Sequence, residues 1–150
     1  TPCEHSFPTR RSSDLSVLFK NADITIYNKY YDNDLGYDLY QRAVIEGVNW
    51  QGKCHATVTD KGLLMADSIL IFIDKLDNYI SPKQFARLSD SERVNYFTLG
   101  MGDKIVKGQI NFEITGIKPY SIANLESDFD DVVNVMSARP LTDHWEVEGK

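Results

Sequence analysis

Apolar and polar residues alternate along most of this chain, and the clearest case is Gly102–Ile117, GDKIVKGQINFEITGI. Ile110, Phe112 and Ile114 fall on one side of an extended chain and Gln109, Asn111, Glu113 and Thr115 on the other, the two-residue period of a half-buried strand. Ile105 and Val106 form a preceding arm, with Lys107-Gly108 between the arms as a tight turn. The pattern predicts a β-hairpin with one wet face, its structural positions being Gly102, Asp103, Gly108, Phe112, Glu113 and Ile114.

Other segments carry the same period. Phe19–Tyr30 alternates Ile24 and Ile26 with Thr25 and Tyr27 and predicts a first strand, followed by an Asp-, Asn- and Gly-rich turn through Asp38. Tyr37–Trp50 is long for one strand, and its apolar face changes phase between Ile45 and Gly47, so that Val44 and Val48 share a face that Ile45 does not. A bulge at Gly47 accounts for the shift and bends the sheet. Gln51-Gly52 predicts a turn into a separate strand Lys53–Val58, and Thr59–Gly62 predicts another turn. Leu63–Ile73 is the most apolar run, with Ile69, Ile71 and Ile73 on one face and Leu70 and Phe72 on the other. Its β-branched residues favour a strand over a buried helix. A strand apolar on both faces needs cover on both, from a second layer or a neighbouring subunit.

Asp74–Leu99 differs in kind. Ser81-Pro82-Lys83-Gln84 places a capping Ser, a Pro at the first helical position and a Gln at the third, and Ser89–Glu92 repeats the signal. Two short helices inserted on a sheet are predicted over about residues 74–98, leading into a strand Tyr96–Leu99. Beyond the hairpin, Lys118–Phe129 reads as a loop with at most a helical turn at Ile122–Leu125. Asp130–Ser137 reads as a strand, and His144–Glu148 as a terminal strand with Trp145 and Val147 on one face and His144 exposed on the other.

Composition narrows the picture. His5–Leu15, HSFPTRRSSDL, resembles the translation of a common short-read sequencing adapter, and its Ser, Thr, Pro and Arg offer too little apolar surface to offset the entropy of ordering. Residues 1–15 are therefore expected to be a non-native disordered segment, with the true start near Ser16 and residues 16–150 a single domain. Setting aside Glu4, Arg10, Arg11 and Asp14 leaves 14 basic and 20 acidic residues, and the net charge stays at −6. That balance argues against a protein whose main task is gripping nucleic-acid phosphates. With Cys3 in the adapter-like segment, Cys54 is the one remaining thiol, which excludes an intrachain disulfide and favours a reducing compartment. No run approaches the roughly 18–20 apolar residues of a membrane helix.

Candidate chemistry is thin. Asp32, Asp34 and Gly36 half-match a calcium loop, but Leu35 and Ala43 stand where oxygen ligands belong. Cys54 and His55 are neighbours on a strand and face opposite ways, so they do not form a nucleophile–base dyad. Asp128, Asp130 and Asp131 read as a solvated loop end rather than a metal cluster. Gly100 and Gly102 lack the third Gly of a nucleotide fingerprint. No catalytic, cofactor or metal site is expected, and no nucleophile, base and orienting group can be placed on a shared face.

The segments ITIYNKYY, GVNWQGK, DKGLLMADSILIFI, YFTLGMGDKIVKG, FEITGI and HWEVEGK resemble an uncharacterised family of small proteins encoded among the structural genes of phages and prophages of Gram-positive bacteria. The order of elements is more distantly similar to phage head–tail joining proteins of the head-closure, or stopper, type. That resemblance implies a mainly β protein, a small β-barrel, and the helical insertion over about residues 74–98 is where this chain departs from it, being longer than such barrels usually carry there. The resemblance also implies a homo-oligomeric ring at the portal–tail junction, in a virion assembled in the host cytoplasm. Its partners would be portal or adaptor and tail proteins, with DNA passing unbound and no membrane contact. Ring assembly would draw on Tyr30, Tyr31, Trp50, Phe72 and Trp145 as interface residues. A minor capsid or tail-completion role is the nearest alternative. An oligonucleotide-binding barrel is the rival from another class, its aromatics not interleaved with Lys and Arg.

Overall fold

A computed structural model describes residues 19–150. The adapter-like stretch lies outside the described residues, as do the side chains of residues 53–59 and 63–66. Six antiparallel strands close into a barrel: β1 (Ala22–Asp32), β2 (Tyr37–Thr59), β3 (Gly62–Asp74), β4 (Lys104–Lys107), β5 (Val132–Pro140) and β6 (His144–Gly149), in the spatial order β1-β2-β3-β6-β5-β4. Helices α1 (Pro82–Arg87) and α2 (Asp90–Arg93) lie between β3 and β4, and α3 (Ile122–Asp128) between β4 and β5. The chain is thus mainly β, a small barrel with a helical insertion.

The barrel interior is filled by the inward set of each strand, including Ile24, Ile26, Ile71, Ile73, Ile105 and Val147, all fully buried. The bulge expected at Gly47 is present. Ala22 pairs with Val48 and Ile24 with Ile45, so Glu46 and Gly47 together face Asp23. Gly47 has φ 73°, and its N–H donates to Asp23 Oδ1 at 2.9 Å. The extra residue changes the phase differently from the expectation: Ile45 and Val48 both enter the core, while Val44 is turned outward.

Other expectations need correction. Gln51-Gly52 is not a turn. Gly52 lies in the ladder opposite Ile69, and β2 runs unbroken for 23 residues, pairing first with β1 and then with β3. Tyr96–Leu99 does not form a strand; Phe97 makes one isolated bridge to Tyr79, and Phe97 and Leu99 instead enter the barrel core. The two helix starts form as expected, with capping boxes at Ser81 and Ser89, and α3 extends the single turn expected there to seven residues behind its own box at Ser121.

The hairpin over Gly102–Ile117 does not form. β4 pairs with β1 along one edge (Ile24–Tyr27) and with β5 along the other (Lys104–Val106), so residues after Gly108 have no edge on which to fold back. They cross the outside of β1 as an extended strap held largely by side chains. Thr25 Oγ1 donates to Gly108 O and accepts from Ile110 N, at 2.8 and 3.0 Å. Tyr27 Oη donates to Phe112 O at 2.6 Å. Arg42 donates to Ile110 O and to Glu113 Oε1 at 3.1 and 2.6 Å. The alternation survives because Ile110, Phe112 and Ile114 still have something to cover. With Leu125 of α3, they pack over Tyr27 and Val106 in a second apolar cluster outside the barrel.

Two substitutions separate the clusters. Ile71→Ala removes a fully buried side chain from the interior and is expected to cost about 2–5 kcal/mol in urea unfolding. Tyr27→Phe removes only the bond to the strap and is expected to cost about 0.5–1.5 kcal/mol, with faster hydrogen exchange confined to residues 108–115.

Candidate interaction surfaces

The β1–β2 tip is built by Asp32, whose Oδ1 accepts from the N–H groups of Asp34 and Leu35 at 2.8 and 3.0 Å. The carboxylate considered for calcium therefore closes a turn. Among the described residues there is no group of three or more His, Cys, Asp or Glu able to hold a metal ion. Tyr31, Leu35 and Tyr37 are exposed on this tip, Tyr31 at 57%.

The helical insertion covers one face of the tip. Arg93 is buried; its guanidinium lies 4.0 Å from the centre of the Tyr30 ring and donates to Asp90 at 2.6 Å and to the Phe85 and Ala86 carbonyls at 3.3 Å. The Phe85 ring meets Tyr30 edge-on. Burial under this cover raises the Tyr30 phenol above its ordinary pKa. The opposite face carries the exposed Lys29–Asp38 ion pair at 3.0 Å. Beside it a half-open, mostly apolar cleft of about 320 Å³ runs between Tyr37–Tyr40 and the end of the strap with the start of α3.

Where the tip meets the barrel, Asp103 is 3% exposed and accepts three N–H groups: Asn28 Nδ2 at 2.8 Å and Gly100 N at 2.9 Å on Oδ2, and Lys29 N at 2.9 Å on Oδ1. Asn28 also exchanges bonds with the Thr98 backbone, donating to its O at 2.6 Å and receiving its N–H at 3.1 Å. Asp103 is thus no hairpin residue; it fastens β1 to the returning end of the insertion. Desolvation raises its pKa, opposed by the hydrogen bonds from Lys29 N, Asn28 and Gly100 N.

The five residues expected at an interface do not come together. Trp50 is 8% exposed in the barrel core, its N–H held by Asn21 Oδ1 at 2.8 Å, and is unavailable to a partner. Tyr30 lies beneath Arg93, while Phe72 is half-buried and meets His144 edge-on. Trp145 packs on Tyr79 with ring centres 4.5 Å apart. Tyr31 alone of the five is well exposed. His144, expected to be exposed, is buried, hydrogen-bonded to Asp143 and met edge-on by the Phe72 ring, which covers its face of β6. Cys54 and His55 fall among the side chains outside the described residues.

What the expectations missed is a projecting ribbon. The pairing of β1 with β2 reaches Val48, and that of β6 with β3 reaches Ile69, but β2 and β3 go on pairing with each other to Thr59 and Gly62. Residues 53–68 therefore form a two-stranded arm beyond the barrel, about 20 Å long at 3.3 Å per residue. Its signal in the sequence was the combined length of the two strands, hidden by the turn assigned to Gln51-Gly52.

A model for a family of unknown function (DUF6751) matches residues 19–150. The chain belongs to that family. No curated protein and no solved structure matches it. In this DUF6751 chain no described helix is long and apolar enough to cross a membrane.

Asp103→Asn is expected to cost about 1–3 kcal/mol at neutral pH, since a side-chain NH₂ would face N–H groups that now find only acceptors. The folded-state pKa of Asp103 is raised, so the native state holds this proton more tightly than the unfolded chain. Its contribution is full below the unfolded value, about 3.9, and is lost as pH rises through the folded one. Relative to the Asn variant, wild type should therefore lose stability across that window in urea titrations at stepped pH.

Proposed function

We propose that this protein is a structural component of a phage virion, a head–tail connector of the head-closure type that forms a ring at the portal–tail junction. The observation that carries the reading is the arm of residues 53–68 on a closed barrel. A closed barrel has no edges of its own to offer, and an isolated two-stranded ribbon is marginal in water, so an arm of this length needs a neighbour. The closed barrel of antiparallel strands accords with the resemblance to head-closure proteins, from which the insertion between β3 and β4 departs by its length. A net charge of −6 suits a channel wall past which DNA slides without adhering. The exposed Tyr31, Leu35 and Tyr37 at the other end of β1 and β2 offer a surface of a kind suited to a second virion component.

Purified chain mixed with the portal complex of the same particle is expected to co-sediment with it at micromolar concentration, and Tyr31→Ala with Tyr37→Ala to weaken that association at least tenfold. A chain that binds neither portal nor tail proteins overturns the connector reading.

A further inference from the structure

The tip of the β1–β2 hairpin runs past the closure of the barrel. β4 accompanies β1 only to Tyr27, and β3 joins β2 only from Asn49, so between Tyr37 and Gly47 the outer edge of β2 has no strand beside it among the described residues. Two hydrogen bonds fix the phase of that edge. Gly108 N–H donates to Asp23 O at 2.6 Å, which makes Ile24–Lys107 a wide pair of the β1–β4 ladder and turns the backbone groups of Ile24 and Ile26, and by alternation those of Asn28 and Tyr30, toward β2. Lys29 N–H, in the other phase, goes to Asp103 on the far side. The register between β1 and β2 is unbroken from Ile24–Ile45 to Asp32–Tyr37. Leu39 and Gln41 therefore spend their backbone groups on Tyr30 and Asn28, while Asp38, Tyr40, Arg42 and Val44 aim theirs away from β1. Arg42 O accepts from Gln41 Nε2 at 3.2 Å, but no backbone group of the described residues reaches those of Asp38 and Tyr40.

The half-open apolar cleft of about 320 Å³ lies against this edge. Tyr37–Tyr40 are consecutive and come from both phases of the strand, so the cleft meets β2 along its edge and not on one face. The opposite wall is the end of the strap, Ile114–Gly116, with the first turn of α3. Free N–H and C=O groups at a two-residue interval match an added strand, since a helix keeps its backbone bonds to itself. The space beside them has room for an apolar side chain against Ile114 and Ile122. Charge decides the rest. Lys29 is held by Asp38 at 3.0 Å and Arg42 by Glu113 at 2.6 Å, so these four charges are matched within the chain. What remains beside the groove is acidic on balance. Asp32, paired in the ladder with Tyr37, and Asp34 have no ion-pair partner among the described residues, against one such cation, the exposed Lys118 in the turn between Gly116 and Ser121. A basic segment complements this end of the hairpin, whereas a second copy of a chain with net charge −6 does so less well.

We infer that this groove is a docking site for an extended segment of another protein, which adds a strand to β2 at Asp38 and Tyr40, seats an apolar side chain against Ile114 and Ile122, and brings a Lys or Arg to Asp32 and Asp34. Main-chain bonds to the edge supply affinity, and the apolar cleft and the acidic tip supply selectivity. The inference goes beyond the connector reading and rests on the groove alone.

The test adds acetylated peptides of about six residues, the usual strand length, in which lysine and threonine alternate with valine or leucine, to the isotope-labelled chain. Saturable NMR shifts are expected at the Asp38 and Tyr40 amides, with binding weakened at least tenfold when glutamate replaces lysine. N-methylation at the centre of a bound peptide removes a backbone donor and is expected to abolish binding, whereas the same methyl at its terminal residue is tolerated. Ala123→Trp, at an exposed position lining the cleft, should weaken binding at least tenfold with an unchanged thermal midpoint. Should that variant fail to fold, the methylated peptides decide on wild type. Failure of every peptide to bind overturns the inference. So do shifts confined to residues 53–68, or binding indifferent to both the methyl and the exchange of lysine for glutamate. Asp38 and Tyr40 amides protected from hydrogen exchange in the free chain overturn it as well, because residues before Phe19 or a second copy then fill the groove. A chain that binds these peptides but neither portal nor tail proteins leaves the inference standing without the connector reading, whereas one that binds portal and none of the peptides does the reverse.

Discussion

β4 is four residues long and has a neighbour on each side. This constraint organises much of the chain around it. By pairing with β1 and β5 together it closes the barrel, and closure leaves no strand edge for the residues that follow. They must cross the outside of β1, and their polar backbone groups must find partners there. Thr25, Tyr27 and Arg42 supply many of those partners, which is why β1 carries polar side chains on a buried outer face. The same crossing drives Ile110, Phe112 and Ile114 onto Tyr27 and Val106 and produces a second apolar cluster. Burial there, only partly countered by the Arg42 charge, holds the Tyr27 phenol well above its ordinary pKa.

Much of this was legible in the residues. Alternation identified β1, the β3 run, β5 and β6; the Ser-capped starts identified α1 and α2; and Gly47 marked the bulge. What alternation could not distinguish was an extended segment hydrogen-bonded in a sheet from one that merely lies on it. Ile110, Phe112 and Ile114 satisfy the period either way, because both arrangements have one dry and one wet face. Only the occupancy of both β4 edges decides between them, and occupancy is a property of topology. The error at Gly52 has a related origin. Glycine serves turns, but it also sits in ladders without a positive φ, and here it passes a long strand from one neighbour to the other.

The surfaces were less legible than the fold. Counting aromatics selected Trp50 and Tyr30, which the barrel core and Arg93 respectively claim for internal packing. Large side chains are as often used inside as at contacts, and without a partner strand map the two uses look alike. The alternation of β1 gave Asn28 no role, yet its amide and the Asp103 carboxylate form the clasp that holds the insertion against β1. Asn28 stands in the apolar phase of Ile24 and Ile26, but which distant groups satisfy a polar side chain there is a property of topology.

Because the outer apolar cluster lies beneath a segment that is not woven into the sheet, the molecule carries two layers of cohesion. The strap and α3 can lift as one cooperative unit while the barrel ladder stays intact, an opening that need not approach the free energy of global unfolding. Such an opening would bare Tyr27 and Val106 on the outer face of the barrel sheet. A protease or a chaperone meeting this protein would encounter that face well before the barrel interior.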